Sequence, residues 1–487
     1  MNERESFRKE AFTVRDLLLI LDYDRAVSRM AVRKLRSERI CCRIVPWDID
    51  GETLLQDDPS GLVLCAATDT QDITIPAHVL NYPGPVLALG AAAAALNTAL
   101  GGENGAYSPM SGLTEVDYSE CPLLNGLTSG QRLLRGLTPM RPPEGAQMIA
   151  TIGAERTVVG FSLGEARRFA MQLELEAHDP DSTRLLTNYA LNICGCTPWW
   201  DDVAFVRQAM DEIRQATGDG NAVCMMTGGI YSNVAALLAA KALGDKLTCV
   251  FVDTGLLQDG RESDFFRFFS ERTGIEIIHE DHRDRFLQAL KGMKTPMEKR
   301  RTIESMLTDI RRDAQRSVPR LNAVIRGRSY MERLTQGEET AGVKAGVLCV
   351  EPLRDLFTEE VRQIGRYLGM PEDILSGQVT LATGLAMNIA GEVTAERLEI
   401  LRTADRIFRR LMTENNQNRK LNAFFATLQH YGVGYTVSLQ TVISSDTGLP
   451  RAARIPYDLL ESAMEEIKAA CPKVNRVVYD LTPYPTL

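Results

Sequence analysis

An α/β fold is what the sequence predicts: two doubly wound parallel-sheet domains followed by a small α+β domain. Three observations predict it. Short, wholly apolar runs alternate with helical patterns, as buried strands alternate with helices in a parallel sheet. The rhythm breaks near residue 195 and then restarts. After residue 375 it gives way to a long helix and strand-like segments. A chain of 487 residues is too long for one core and suggests about three units.

The first strand is read at Asp16-Leu-Leu-Leu-Ile-Leu-Asp22, followed by a helix through Arg33-Lys-Leu-Arg36. Further strands are read at Cys42-Arg-Ile-Val45, Gly61-Leu-Val-Leu64 and Pro85-Val-Leu-Ala-Leu89, and a small-residue helix starts at Ala91. Asn192-Ile-Cys-Gly-Cys-Thr-Pro-Trp-Trp200 interrupts the pattern and marks a boundary. The second domain has strands at Ala222-Val-Cys-Met-Met226, Leu247-Thr-Cys-Val-Phe-Val252 and Gly274-Ile-Glu-Ile-Ile278. The third follows Met370-Pro-Glu-Asp-Ile-Leu375. It is read as a helix from Thr394 to Thr413, a strand Gly434-Tyr-Thr-Val-Ser-Leu439, a helix from Pro456 to Ala470 and a strand Asn475-Arg-Val-Val-Tyr-Asp480. The expected domains are therefore 1–195, 196–375 and 376–487.

With 44% hydrophobic and 24% charged residues, the composition is that of a soluble globular protein, and no apolar run is long enough to span a bilayer. No membrane association is expected. Met1-Asn-Glu-Arg-Glu-Ser-Phe-Arg-Lys-Glu10 has mixed charge and no apolar signal region, so a cytoplasmic location is expected. The ten cysteines are scattered and mostly lie in apolar runs, which reads as reduced core thiols. Cys194-Gly-Cys196 lacks both the spacing and the second pair of a zinc knuckle, and no metal site is expected. A net charge of -9 gives no reason to expect nucleic acid. Lys299-Arg300-Arg301 and Arg311-Arg312 read by default as a solvated helix face.

One stretch carries chemistry. In Met225-Met-Thr-Gly-Gly-Ile-Tyr-Ser-Asn-Val234 the glycines fall between a strand and a helix, where unpaired N–H groups and the helix dipole hold anions. A bulky phenol, Tyr231, sits inside it.

The chain resembles the GMP synthetase family, glutamine-dependent ligases that aminate XMP at the expense of ATP. The resemblance rests on Leu18-Leu-Ile-Leu-Asp-Tyr23, Asn192-Ile-Cys-Gly-Cys196, Leu247-Thr-Cys-Val-Phe-Val-Asp-Thr-Gly-Leu-Leu257 and Asp284-Arg-Phe-Leu287. It continues through Val350-Glu-Pro-Leu-Arg-Asp-Leu-Phe357, Glu360-Val-Arg-Gln-Ile-Gly365, Gly391-Glu-Val393 and Arg476-Val-Val-Tyr-Asp480. It implies a class I glutaminase-like domain, a PP-loop ATP pyrophosphatase-like domain and a C-terminal dimerisation domain, with a homodimer formed through the last.

The family's chemistry is not matched with the same fidelity. Its glutaminase uses a cysteine nucleophile on an elbow, a histidine base and a glycine-rich oxyanion turn. Here Val86-Leu-Ala-Leu-Gly-Ala-Ala91 places Gly90 where the cysteine belongs. Glu174-Leu-Glu176 matches the family's His-Pro-Glu, so Glu174 replaces the base and Glu176 keeps the carboxylate. Cys65-Ala-Ala-Thr68 matches the oxyanion turn. A relocated Cys65–His178 pair is the rival reading, against a core thiol and a surface histidine. Loss of an acid–base partner alone typically costs ~100-fold or more, so the glutaminase is expected to be silent.

The family's Ser-Gly-Gly-Val-Asp-Ser loop is matched by Thr227-Gly-Gly-Ile-Tyr-Ser232, in which only the carboxylate has gone. By resemblance Thr227, Gly228, Gly229 and Ser232, with Asp253 at the end of the next strand, are the residues for ATP or another purine nucleotide. Binding of Mg²⁺ is expected to be weak or absent, since it prefers carboxylate oxygens. Asp253 is open to two roles, contact with ribose or metal and an ordinary helix cap. Two readings of Tyr231 are also open: a ring packed into an abandoned site, or a loop that still binds a nucleotide without turnover. Arg326-Gly-Arg-Ser329, Glu339 to Ala345, Gln378 to Gly384 and Pro483 to Leu487 all depart from the family's substrate segments. The expectation is a family member that kept its scaffold and lost its catalytic parts, a pseudoenzyme that binds or regulates and pairs with itself or with a true synthetase. The alternative is an ammonia-dependent, ATP-using ligase with altered substrate.

Overall fold

The computed structural model describes residues 16–164, 167–258, 261–330, 332–333, 343, 345–375, 383–418, 421, 423–443 and 451–482. Most of Glu339 to Ala345, most of Gln378 to Gly384, and the segments Pro483 to Leu487 and Met1 to Glu10, lie outside those residues. The chain divides into two compact units, Met1–Ala204 and Phe205–Leu487.

In the first unit β1 (Leu18–Asp22), β2 (Cys42–Pro46), β3 (Gly61–Cys65) and β4 (Val86–Leu89) run parallel in the order β2-β1-β3-β4. All residues of β3 and β4 are buried, which is why these strands read as unbroken apolar runs rather than alternating ones. Asp24 caps the helix Arg25–Ser37, accepting hydrogen bonds from the N–H groups of Ala26 and Val27.

The sheet does not remain parallel. β5 (Glu103–Asn104), β6 (Ser108–Tyr118), β7 (Gly130–Leu137), β8 (Met140–Arg141), β9 (Gln147–Ile152) and β10 (Thr157–Leu163) pair antiparallel, and β11 (Arg168–Met171) joins them to β4. The result is an 11-stranded mixed sheet, in which the parallel strands expected carry an antiparallel extension that the sequence pattern did not reveal. Strands such as Ser108–Tyr118 carry Ser, Gly, Thr, Glu and Asp on an exposed face, so they lack the apolar run that betrayed β1 to β4.

The second unit contains a five-stranded, wholly parallel sheet, ordered Ile277–Asp281, Leu247–Asp253, Asn221–Met226, Leu321–Ile325, Leu348–Val350. Its strands are β12 (Asn221–Met226), β13 (Leu247–Asp253), β14 (Ile277–Asp281), β15 (Leu321–Ile325) and β16 (Leu348–Val350). The strand expected at Gly274–Ile278 lies three residues later; its C-terminal half is His-Glu-Asp on the sheet edge, where solvent relaxes the need for apolar residues. A three-stranded sheet follows, β17 (Ala423–Tyr431), β18 (Gly434–Val442) and β19 (Val474–Tyr479), with β17–β18 antiparallel and β18–β19 parallel. β17 was not anticipated. Thr394 caps the helix Ala395–Glu414. Val223 and Val324 of the parallel sheet, Phe408 of that helix and Val437 of β18 belong to one apolar cluster, so the two sheets of this unit share a core.

Lys299 corrects the expected solvated basic face. It is 1% exposed and its ammonium donates to Ala386 O at 3.2 Å and Ile389 O at 2.5 Å. Burial, with the nearby Arg397 charge, lowers its pKa to about 8. The folded state therefore gives up this proton before the unfolded chain does, and the group contributes stability that rises as pH increases from about 8 towards 10.5. Among the described residues no helix is long and apolar enough to cross a membrane.

Wild-type protein is expected to gain of order 1–3 kcal/mol relative to Lys299→Met across that pH window. Denaturant unfolding of both proteins at pH 7.5, about 9 and about 10.5 checks it; parallel pH dependences would contradict the assignment.

Candidate functional site

The first unit has a sharp strand-to-helix turn, an elbow, at Gly90. β4 ends at Leu89, Gly90 turns the chain with φ 62° and ψ −132°, and the helix Ala91–Ala99 begins at once. A backbone conformation with φ positive and ψ strongly negative costs a side-chain-bearing residue about 1–3 kcal/mol. Because β3 and β4 are parallel neighbours, the turn after β3 runs directly alongside. A Cβ added to Gly90 would stand 1.9 Å from Ala66 O and 2.9 Å from the Ala66 carbonyl carbon. A cysteine does not fit without moving backbone. The Ala91 N–H donates to Ala67 O at 3.2 Å.

Glu174 and Glu176 are half-buried. Glu174 accepts hydrogen bonds from the Thr68 N–H at 3.2 Å and from the Thr68 hydroxyl, which ties its carboxylate to the same closed turn. Glu176 contributes negative charge near Lys34. The pKa of Lys34 is lowered by burial, an effect that Asp179 and Glu176 oppose. Lys34 Nζ donates to Asp179 O at 2.9 Å and to Thr183 Oγ1 at 3.1 Å. The relocated pair does not form a site. Cys65 is fully buried and its thiol is pushed well up by burial and by the Asp22 and Asp24 charges, while His178 is exposed. Beside Leu89 and Glu174 a cavity of only about 10 Å³ remains, no more than one water requires.

In the second unit β12 leads into Thr227, Gly228 (φ 75°) and Gly229, and Gly229 precedes the helix Ile230–Leu243 with no side chain capping its first turn. Thr227, Gly228, Gly229 and Ser232 are brought together. The Thr227 N–H points to Ser232 Oγ at 3.4 Å, and that hydroxyl donates to Gly229 O at 2.9 Å. Tyr231, 6% exposed, shares a 2.8 Å hydrogen bond with Thr358 Oγ1. Burial raises its pKa and the Thr358 bond opposes that. Its phenol is thus engaged with the start of the helix Thr358–Tyr367, in keeping with the packed reading.

The Arg326-Gly-Arg-Ser329 segment is equally committed. A Cβ on Gly327 would meet Tyr231 O at 2.3 Å and Ser232 N at 2.4 Å, so this backbone rests on the first turn of the loop's helix. Arg326 and Arg328 both face Glu351 Oε1, at 3.6 and 3.2 Å. Burial pushes the nearby Glu332 carboxyl up to about 7.

Asp253 caps a turn, not a helix: Oδ1 accepts the Gly255 N–H at 2.8 Å and Oδ2 lies 3.5 Å from Arg283 Nε. It lines a separate cavity of about 510 Å³, to which no residue from Thr227 to Ser232 contributes. Sequence reasoning missed this cavity. Its other contributors, such as Arg283 and Arg402, lie more than 100 residues apart and carry no local pattern. Cys194 and Cys196 are thiols pushed up to about 12 and about 11 chiefly by burial. Among the described residues no three His, Cys, Asp or Glu side chains converge as a metal site would need.

An 11-stranded mixed sheet, a parallel sheet with a glycine turn before a helix and a third small sheet define a multi-domain α/β protein. No family model matches the chain. It is 32% identical to the GMP synthase [glutamine-hydrolyzing] of Symbiobacterium thermophilum over 508 aligned positions, covering 97% of this chain and 98% of that protein. With the enzyme of the same description from Caldanaerobacter subterraneus the figures are 31%, 97% and 98%, and with that from Caldicellulosiruptor saccharolyticus 30%, 96% and 98%. The chain belongs to the GMP synthase family.

Gly90→Cys is expected to lower stability by about 3 kcal/mol or more, through backbone overlap and positive φ, and to release no ammonia from glutamine. Thermal unfolding with an ammonia assay checks both; a stable, active variant would refute the closed-turn geometry. Tyr231→Phe should cost about 1 kcal/mol for the lost Thr358 bond, and Tyr231→Asp distinctly more, since it buries a charge. Equal midpoints for the two variants would show that the phenol is not packed as described.

Proposed function

We propose that this chain is a GMP synthase family member without glutaminase activity, and without ATP-dependent amination of XMP, whose role is binding or regulation linked to purine nucleotides. The observation that carries the proposal is the closed elbow. Gly90 offers no nucleophile, Ala66 O occupies the space of its side chain, and the Ala91 N–H is already bonded. Covalent catalysis needs the attacking group and oxyanion stabilisation together.

The phosphate turn fits part of its family's ligand. Backbone at Gly228 and Gly229 and the hydroxyls of Thr227 and Ser232 suit phosphate oxygens, so ATP or another purine nucleotide is the proposed ligand. Mg²⁺ fits less well, because a buried phenol whose pKa is raised stands in place of a carboxylate. Homodimerisation through the C-terminal part, and pairing with a catalytically competent relative, are the proposed associations. One observation favours the alternative of an ammonia-dependent, ATP-using ligase: the glycine turn keeps the Thr227 and Ser232 hydroxyls beside a helix start that no side chain caps.

Purified protein is expected to release no ammonia from glutamine and to show no ATP–pyrophosphate exchange with XMP and ammonium. Exchange without glutaminase would select the ligase reading, and glutamine turnover would end both. Thermal shifts with ATP, AMP, XMP and GMP are expected to single out at least one ligand, because binding selective for the native state raises the midpoint. No shift with any of them would remove the link to purine nucleotides.

A further inference from the structure

We propose that the cavity at the carboxyl ends of β13 and β14 binds a small organic amine, with its ammonium at Asp253 and Asp284 and its apolar body against the inner wall. The inference stands beside the proposed function rather than on it, since the cavity includes neither the elbow nor the phosphate turn.

The volume, about 510 Å³, lies in the range of small-molecule sites. Its inner wall is apolar: Phe251, Phe266, Leu256 and Leu398 are each at most 9% exposed. The rings of Phe251 and Phe266 are packed with centroids 4.5 Å apart, which makes the wall a firm surface.

The polar rim decides which ligand fits. Two guanidiniums line the cavity, and both are committed. Arg402 Nη2 donates to Gly255 O at 2.8 Å, Nε to Leu257 O at 3.2 Å and Nη1 to Glu399 Oε2 at 3.1 Å. Arg283 forms a two-pronged pair with Asp281, with Nε 2.9 Å from Oδ1 and Nη2 bonded to Oδ2. Counting Asp281, four carboxylates face these two cations, an excess of two negative charges. The excess resides at Asp253, whose Oδ2 has only Arg283 at 3.5 Å, and at Asp284, in the exposed first turn of the helix Arg283–Ala289. An ammonium entering here meets carboxylates that retain acceptor capacity, whereas a phosphate or carboxylate meets uncompensated like charge and no free guanidinium. An aromatic or aliphatic body completes the fit, since a bare cation leaves the Phe and Leu wall against water.

The test is isothermal titration of the full chain with phenethylamine and tryptamine, and with phenylacetate and AMP as anionic counterparts. Both amines are expected to bind saturably, more weakly at higher salt, and neither anion is expected to displace them at tenfold excess. The double variant Asp253→Asn, Asp284→Asn keeps the Oδ1 acceptor of the turn and is expected to weaken amine binding at least tenfold. Ala395→Trp, which fills the cavity from the adjoining helix, is expected to abolish binding while unfolding at a midpoint close to wild type. Displacement by either anion, unchanged amine affinity in the Asn double variant or in a folded Ala395→Trp protein, or no saturable amine binding at millimolar concentration would each overturn the proposal.

Discussion

The close approach of the Ala66 carbonyl to Gly90 is the constraint on which the first unit's character depends. Parallel pairing of β3 and β4 brings the two following turns side by side. With no Cβ at position 90, the turn after β3 settles into the space that a nucleophile's side chain would need. Two consequences reinforce it. The Ala91 N–H finds its acceptor at Ala67 O, and the Thr68 N–H and hydroxyl are held by Glu174. Gly90, Ala91, Thr68 and Glu174 thus belong to one closely packed, hydrogen-bonded arrangement.

The second unit is arranged differently. Its glycine turn keeps the Thr227 and Ser232 hydroxyls beside an uncapped helix N-terminus, a geometry suited to anions. Its surroundings are committed to protein contacts. Tyr231 is tied to Thr358, Gly327 rests on the helix's first turn, and Arg326 and Arg328 face Glu351. The Tyr231 phenol and the Arg326 and Arg328 guanidiniums are therefore engaged with protein partners.

Much of this was legible in the sequence, and the limits follow from physics. β1, β3, β4, β12 and β13 are buried on both faces, and their apolar runs showed them. β6 and β14 carry polar residues on solvent-facing sides, and β17 has an exposed C-terminal end, so the run that signals a buried strand is absent. Gly90 and Tyr231 stood out against the family's motifs because the flanking segments Val86–Leu89 and Thr227–Gly229 set their places in the strand-to-helix turns. How neighbouring backbone packs around them was not visible. That Ala66 O fills the space at Gly90, or that Lys299 lies buried among carbonyls, depends on residues distant in sequence.

The central claim is that the first unit has no nucleophile within reach of a glutamine-like substrate. Mass spectrometry of the intact protein after incubation with a diazoketone analogue of glutamine, which alkylates an activated cysteine, tests it directly. An unchanged mass is the result that the closed Gly90 turn predicts. A single stoichiometric adduct mapped to any residue of Met1–Ala204 would contradict it.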